Sequence, residues 1–226
     1  RRNGQKQQYT GAIVFNPTEP GAHDNVTVMD YTSLYPTSIM SFNLSPETFI
    51  ASEKGCKQIG IEIEDVVQQL KDDNIKYVDT GKHKDLFGER YLFYSQDHKL
   101  GLLPYVLKKL FLKRVEVNRA LKAGEYIGDE AIAMDKRQWA YKLILNSAYG
   151  AMGFNFFRLY KPEVADAITF FARQALKFAV LEFQGYGHKT LYGDTDSIFV
   201  KSEGKTESQM VEKLEVFNKS LKENLV

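Results

Sequence analysis

Three aspartates stand where short apolar segments end, and their spacing suggests metal-dependent chemistry. Asp194 and Asp196 are two positions apart, so on extended backbone their side chains would project to the same side. Asp30 directly follows a third apolar segment, residues 26–29. Clustered carboxylates repel one another unless a cation lies between them, and Mg²⁺ prefers oxygen ligands. If the strands are neighbours, the three carboxylates converge, and two Mg²⁺ ions could promote an in-line phosphoryl transfer.

A plainer interpretation stays open for the pair at 194 and 196. Aspartate is common in tight turns, so residues 193–197 could simply connect two strands. The third acid, Asp30, favours the metal site over the turn, but the sequence does not prove that its strand is a neighbour.

A second group of residues has types that suit a nucleotide. Lys142, Asn146 and Tyr149 are spaced by four and three positions, so they share one face of a helix. Their side chains suit a phosphate, a sugar or base edge, and a base face. The alternative is a solvated polar face. Arg114 interrupts an apolar helical stripe and could bind a phosphate, although arginine also extends from such stripes to water.

Periodicity and turn residues predict the elements that must position these groups. The predicted strands are residues 12–15, 26–29, 91–94, 190–192 and 198–200. The predicted helices are residues 36–43, 66–70, 103–121, 130–152 and 162–183, and one that begins near 207. The helices on either side of Gly124 and Gly128 suggest an antiparallel helical hairpin.

Composition limits the class of protein. The 226 residues are 43% hydrophobic, which is enough for a sizeable core, and the net charge of +1 excludes a histone-like polycation. Residues 99–122 nevertheless hold seven bases and one acid, whereas residues 53–97 are acidic and carry no recognisable chemistry. The single cysteine, Cys56, excludes an internal disulfide and suggests a reducing compartment. No apolar run is long enough for a membrane helix. The chain starts at Arg1 without Met and stops at Val226 inside a predicted helix, so we expect a piece of a longer protein.

Five motifs resemble those of family B DNA polymerases, in the family's order. Three are similar to its polymerase motifs: Asp30-Tyr31-Thr32-Ser33-Leu34-Tyr35-Pro36, residues 142–150 (KLILNSAYG) and Tyr192-Gly193-Asp194-Thr195-Asp196-Ser197. Tyr9-Thr10-Gly11-Ala12 is similar to the motif between the family's exonuclease and polymerase regions. Gly101-Leu102-Leu103-Pro104, followed by Arg114, resembles its first fingers helix.

Residues 45–48 and 167–176 look most like T-even-type bacteriophage polymerases, and the resemblance covers the chain from Tyr9 onward. Three departures stand out. Asn118 occupies a position that is usually basic, with Arg119 turned away, so the grip on a triphosphate would be weaker. Thr37 replaces the usual Ser. Only 27 residues separate Arg114 from Lys142, so the fingers would be more compact than in the T-even type.

The resemblance implies an α+β fold, namely a polymerase palm of antiparallel sheet and packed helices with an inserted α-helical fingers hairpin. The palm would comprise residues 1–98 and 151–226, and the compact fingers residues 99–150. The family's exonuclease and thumb regions would be absent from this chain.

The resemblance also implies a role for each matching residue. Asp30 and Asp196, with the carbonyl of Tyr31, would be metal ligands, and Asp194 would be a weaker or outer-sphere catalytic group. The nucleotide-binding residues would be Ser33, Leu34, Tyr35, Arg114, Lys142, Asn146 and Tyr149. In that set the Tyr35 ring would exclude a 2′-OH. The DNA-binding residues would be Tyr9, Gly11 and Gly150.

The implied activity is DNA-directed DNA synthesis from deoxynucleoside triphosphates, with two Mg²⁺ ions as cofactors and Mn²⁺ as a substitute. The implied partners are primer–template DNA, the exonuclease and thumb regions, and a sliding clamp bound through absent segments, with no membrane. The implied location is the cytoplasm of a host cell, at replicating DNA. Two alternatives stay open: a non-catalytic metal- and nucleotide-binding fragment that needs a thumb, and a glycosyltransferase that uses Asp-x-Asp.

Overall fold

The computed structural model describes residues 10–81, 89–202 and 204–224. In chain order, their strands and helices are β1 (Val14–Phe15), β2 (Val26–Asp30), α1 (Leu34–Ser41), β3 (Phe49–Ser52), α2 (Glu53–Gln58), α3 (Ile63–Asp72), β4 (Tyr77–Asp79), β5 (Tyr91–Tyr94), α4 (Leu102–Lys122), α5 (Gly128–Met152), α6 (Pro162–Gly185), β6 (Lys189–Asp194), β7 (Ser197–Lys201) and α7 (Glu207–Asn224). Within these residues, no helix combines the length and the apolarity that crossing a membrane requires. The described residues form two compact units, 10–34 with 169–224 and 35–168. We name them the carboxylate unit and the hairpin unit.

The carboxylate unit is built on a four-stranded antiparallel sheet with the order β1-β6-β7-β2. Along β7, Ile198 and Val200 are buried while Ser197, Phe199 and Lys201 are partly exposed. This alternation puts one face of the sheet against a core, as the period of two in a strand requires. The predicted strands at 26–29, 190–192 and 198–200 are confirmed, and β2 runs one residue further than predicted to include Asp30. The strand predicted at 12–15 is confirmed only for Val14–Phe15.

Helices α6 and α7 contribute the rest of that core. Its buried residues are Leu176, Ala179, Phe183, Ile198, Val200, Met210 and Phe217. The helical members recur at steps of three, four or seven, which places them on one face of each helix. The ring of Phe217 lies 5.5 Å from that of Phe183, and full burial of such a side chain contributes about 1.5–3 kcal/mol.

The hairpin unit contains a second antiparallel sheet with the order β3-β5-β4. Helices α2 and α3 pack on it through a cluster that includes Cys56, Ile63, Leu70 and Leu92. The predicted helix and strand in this stretch are confirmed, but the sequence missed β3, α2 and β4. The α+β class with antiparallel sheets and packed helices is therefore confirmed, with two sheets.

Helices α4 and α5 pack along each other, and the connection 123–127 between them confirms the predicted helical hairpin. Asn43 fixes the start of α4. Its side-chain oxygen accepts from the N–H of Gly101 at 2.8 Å, and its amide donates to the carbonyls of Tyr94 and Lys99. A Cβ at residue 101 would lie 2.9 Å from the Cβ of Ser45, so only glycine lets the chain pass here.

Candidate active site

The acids lie in a row across three strands of the carboxylate unit. Asp30 is the last residue of β2 and pairs with Ser197, the first residue of β7. Asp194 is the last residue of β6 and pairs with the same Ser197 from the other side. The N–H of Tyr31 donates to the carbonyl of Asp196 at 2.8 Å, which continues the pairing beyond β2. The adjacency that the sequence could not prove is thus present, because β2 and β7 are neighbours.

Asp196 occupies a different backbone position from the one that its spacing suggested. It lies in the two-residue turn between β6 and β7, after Thr195 with φ 54°, so the expectation of extended backbone at 194–196 is wrong. The turn interpretation and the acid cluster are therefore compatible. The same residues connect the strands and hold the carboxylate beside Asp30.

Asp196 is partly buried and lies near two other acids, Asp30 and Asp194. Burial raises the pKa of its carboxyl, and the charges of Asp30 and Asp194 raise it further. Each effect disfavours the ionised form, and each would be relieved by a cation at this position. A carboxyl perturbed in this way at the end of a sheet is a candidate functional group.

Asp194 is held by its own neighbours. Its Oδ1 accepts from the hydroxyl of Thr195 at 2.8 Å, and its Oδ2 accepts from the hydroxyl of Tyr192 at 3.3 Å. The pKa of Tyr192 is raised by burial and by the Asp194 carboxylate. Both oxygens of the Asp194 carboxylate therefore accept hydrogen bonds from the protein.

This arrangement corrects the expectation that three carboxylates converge as one ligand set. Among the described residues, no group of three or more His, Cys, Asp or Glu side chains is placed to hold a metal ion. The expectation assumed extended backbone at residues 194–196, whereas Asp196 lies in the turn after Thr195 and its carboxylate therefore does not follow the strand geometry. The assignment of Asp30, Asp196 and the carbonyl of Tyr31 as metal ligands, which the resemblance implied, stays a prediction.

The Tyr31 side chain anchors the backbone beside Asp30. Its hydroxyl donates to the carbonyl of Ala175 on α6 at 2.7 Å, and its ring meets Phe217 on α7 edge-on at 6.1 Å. Burial raises the pKa of Tyr31 far above its ordinary value, so the hydroxyl stays a donor. Tyr31 therefore fixes the backbone next to Asp30, a role of this side chain that the sequence did not reveal.

The candidate nucleotide-binding residues of the helical hairpin lie on α4 and α5. Arg114 and Lys142 are partly buried, and the Lys142 ammonium lies 4.7 Å from the centre of the Trp139 ring, a cation–π contact. Asn146 is exposed on the same face of α5. On α4, Asn118 is partly buried while Arg119 is exposed, consistent with their different directions around the helix.

Tyr35 and Tyr149 come together, although 113 residues separate them in the chain. Their ring centres are 4.5 Å apart with planes inclined by 33°. Leu34 and Tyr35 are the first two residues of α1, the part of a helix whose N–H groups favour an anion, and Ser33 precedes them with φ 57°.

The candidate DNA-binding residues are less uniform. Tyr9 lies outside the described residues. The carbonyl of Gly11 accepts from Arg173 at 2.7 Å, and Gly150 lies on α5 where a Cβ would meet nothing within 4 Å. The sequence missed Thr195 and Tyr192 as partners of Asp194, and it missed Arg173 as a partner of Gly11. The one available signal was a charged residue within the apolar run of α6.

Comparison with known proteins places the chain in a family. The sequence profile of DNA polymerase family B matches residues 1–225. The chain belongs to DNA polymerase family B.

Archaeal and eukaryotic relatives agree with this assignment. The chain is 32% identical to a DNA polymerase of Archaeoglobus fulgidus over 204 residues, which cover 90% of this chain and 22% of that protein. It is 33% identical to the DNA polymerase delta catalytic subunit of Dictyostelium discoideum over 219 residues, 92% of this chain and 18% of that one. The solved family B DNA polymerase of Pyrobaculum calidifontis is similar in fold, with a TM-score of 0.64 and 30% identity over 99% of this chain and 25% of that chain. The chain thus spans about a fifth to a quarter of the length of these relatives.

Proposed function

We propose that this chain carries the nucleotidyl-transfer site of a DNA-directed DNA polymerase. The primer 3′-OH attacks the α-phosphorus of an incoming deoxynucleoside triphosphate, a new phosphodiester bond forms, and pyrophosphate leaves. The observation that carries the proposal is the row of acids at the ends of β2 and β6. There burial and the charges of Asp30 and Asp194 raise the pKa of Asp196, in a chain of a family whose named relatives are DNA polymerases.

The donors at this row fit two divalent cations. Asp30, Asp196 and the Tyr31 carbonyl supply oxygen only, the chemistry that Mg²⁺ prefers and Mn²⁺ tolerates. Bound Mg²⁺ would lower the pKa of the primer 3′-OH and neutralise charge on the departing phosphates. Asp194, whose oxygens accept hydrogen bonds from Tyr192 and Thr195, is the weaker or outer-sphere group in this proposal.

The helical hairpin would receive the nucleotide. Arg114 and Lys142 provide the two positive charges for its triphosphate, and the N–H groups of Ser33, Leu34 and Tyr35 support the phosphates at the start of α1. The remaining nucleotide-facing residues are Tyr35, Asn146 and Tyr149. The contact between the two tyrosine rings supports a single aromatic wall beside the sugar and the nascent base pair.

The remaining assignments belong to the same proposal. The palm comprises residues 1–98 and 151–226, the compact fingers residues 99–150, and Tyr9, Gly11 and Gly150 contact DNA. The exonuclease and thumb regions and a sliding clamp are the proposed partners, and the host cytoplasm at replicating DNA is the proposed location. The likeness to T-even-type polymerases rests on motif residues, whereas the relatives named above are archaeal and eukaryotic.

Primer extension tests the proposal. The chain is incubated with Mg²⁺, a primed template and the four deoxynucleoside triphosphates, alone and with an added thumb fragment of a relative. Template-dependent extension by the chain alone supports the proposal, and no extension in either case contradicts it. Extension only with the thumb identifies this chain as a metal- and nucleotide-binding fragment. Sugar-nucleotide turnover without a template would instead support the glycosyltransferase alternative.

The Tyr35 side chain offers a second test. Tyr35→Ala removes the ring and should admit ribonucleotides, so the ratio of ribonucleotide to deoxynucleotide incorporation should rise. Tyr35→Phe keeps the ring and is the matched control. An unchanged ratio in single-nucleotide incorporation would reject this role for Tyr35.

A further inference from the structure

A buried arginine holds the segment that leads from the candidate DNA-binding motif to the acids. Arg173 lies on α6 and is only 3% exposed. Its Nη1 donates to the carbonyls of Thr10 and Gly11 at 2.8 and 2.7 Å. The hydroxyl of Thr169, one helical turn earlier, donates to the same Thr10 carbonyl at 2.6 Å.

The segment held by Arg173 continues directly to β1, which pairs with the β6–β7 hairpin. The carbonyl of Ile13 accepts from the N–H of Thr195 at 3.0 Å, and Val14 pairs with Asp194. Residues 10–14 therefore join the α6 anchor at one end to the acid-bearing turn at the other. A guanidinium suits this task because its donors lie in one rigid plane, and hydrogen bonds from a charged donor are the stronger kind.

We propose that Arg173, assisted by Thr169, is a positioning residue that fixes Thr10 and Gly11 for primer–template binding without contacting DNA itself. The proposal rests on the DNA-binding role proposed above for this segment. Burial of the Arg173 side chain and engagement of its Nη1 with two backbone carbonyls argue against a phosphate as its partner. An arginine that contacts phosphate must present its guanidinium to the solvent side of the protein.

The salt dependence of DNA affinity separates the two roles. Each phosphate contact contributes about 0.9 to the slope of log K against log salt concentration, so removing one reduces the slope by about one. Loss of a positioning residue weakens binding and leaves the slope unchanged. The dissociation constant of a fluorescent primer–template is therefore measured at several salt concentrations for this chain and its variants.

Arg173→Met keeps the length and removes the donors, and we expect affinity to fall roughly tenfold at constant slope. Arg173→Lys should recover part of the loss. Thr169→Val should weaken binding roughly threefold, whereas Thr169→Ser restores it. Thr190→Val is the matched control, because the Thr190 hydroxyl is also buried but no described group bonds to it. Circular dichroism checks that each variant is folded.

Amide hydrogen exchange provides a readout that is independent of DNA. Exchange at residues 10–13 should accelerate in Arg173→Met and Thr169→Val, with β6 and β7 unaffected. Unchanged exchange, unchanged affinity, or a slope reduced by about one in Arg173→Met would each overturn the positioning role. If the unaltered chain bound no primer–template, the proposed function and the DNA role of Arg173 would both fall. The exchange data would then still show separately whether Arg173 and Thr169 anchor residues 10–13.

Discussion

In the described residues, each of the two sheets has an aspartate at a strand end, and the charges around these two positions are opposite in sign. In the hairpin unit, Asp79 ends β4, and its carboxylate accepts from the guanidinium of Arg90 through both oxygens, at 3.0 and 2.8 Å. Arg90 also donates to Glu64 at 2.5 Å and lowers the pKa of that carboxyl. In the carboxylate unit, Asp30 ends β2, and the nearby Asp196 has a raised pKa.

The comparison shows that residue type and position in a strand are not enough to mark a chemical site. Asp79 has a cation from its own chain and therefore stabilises the fold. Asp196 is partly buried beside other acids, and an added cation would stabilise it. A carboxyl whose surroundings disfavour its charge is the better candidate for function.

The largest expected effect is on nucleotide incorporation, which should depend on Asp196 and not on Asp79. Asp196→Asn should reduce single-nucleotide incorporation by at least about 100-fold, because the proposed metal-ligand carboxylate is lost while the backbone hydrogen bond from Tyr31 remains. Asp79→Asn is the matched control and should keep the incorporation rate of folded protein. Near-normal incorporation by Asp196→Asn would refute the metal assignment.

The second effect is on the free energy of unfolding, which should depend on the ion pair of Asp79 with Arg90. Arg90→Met leaves Asp79 without its bidentate partner, and we expect the free energy of unfolding to fall by about 2 kcal/mol in urea titrations. Glu64→Gln removes only the exposed partner of Arg90 and should lower the free energy of unfolding clearly less than Arg90→Met does. Equal losses in the two variants would show that Asp79 is not the main partner of Arg90.

The third effect concerns the packing that supports the acid row. In Gly193→Ala, the new Cβ would lie 2.8 Å from Cδ2 of Phe15 and 3.3 Å from the carbonyl of Ser197. The Phe15 ring or the neighbouring strand must shift, so we expect a loss of about 1–3 kcal/mol in thermal or urea unfolding. Gly185→Ala meets nothing within 4 Å and is the control, with a change below about 1 kcal/mol. A tolerated Gly193→Ala would indicate that β1 does not need this close approach.

The smallest effect is in the pH dependence of stability without metal. The pKa of Asp196 is raised above its ordinary 3.8, so its contribution is fully favourable below that pH and is lost as pH rises through the raised pKa. The pKa of Glu64 is lowered from 4.5, so its contribution is present above that pH and is lost as pH falls. Unfolding free energies measured from pH 3 to 7 should therefore show Asp196→Asn gaining on the unaltered chain with rising pH, and Glu64→Gln losing. Parallel curves would contradict the electrostatic contrast.

Elements with a clear local pattern could be predicted from the sequence. The alternation in β7 and the three- and four-residue steps on α6 and α7 each lie within one segment, so their burial could be read locally. Strands β3 and β4 could not, because they are short and become strands only through pairing with β5. Ser52, for example, pairs with Tyr91.

The candidate site divides in the same way. By itself, the sequence determined the order of the motifs, the acids at 30, 194 and 196, the nucleotide-suited face of α5, and through these the family. Only the tertiary structure decided that β2 lies beside β7, that hydroxyls of Thr195 and Tyr192 hold Asp194, and that Asp79 is neutralised while Asp196 is not. The reason is physical: periodicity depends on neighbours in the chain, whereas hydrogen bonding and charge interactions depend on distance in space.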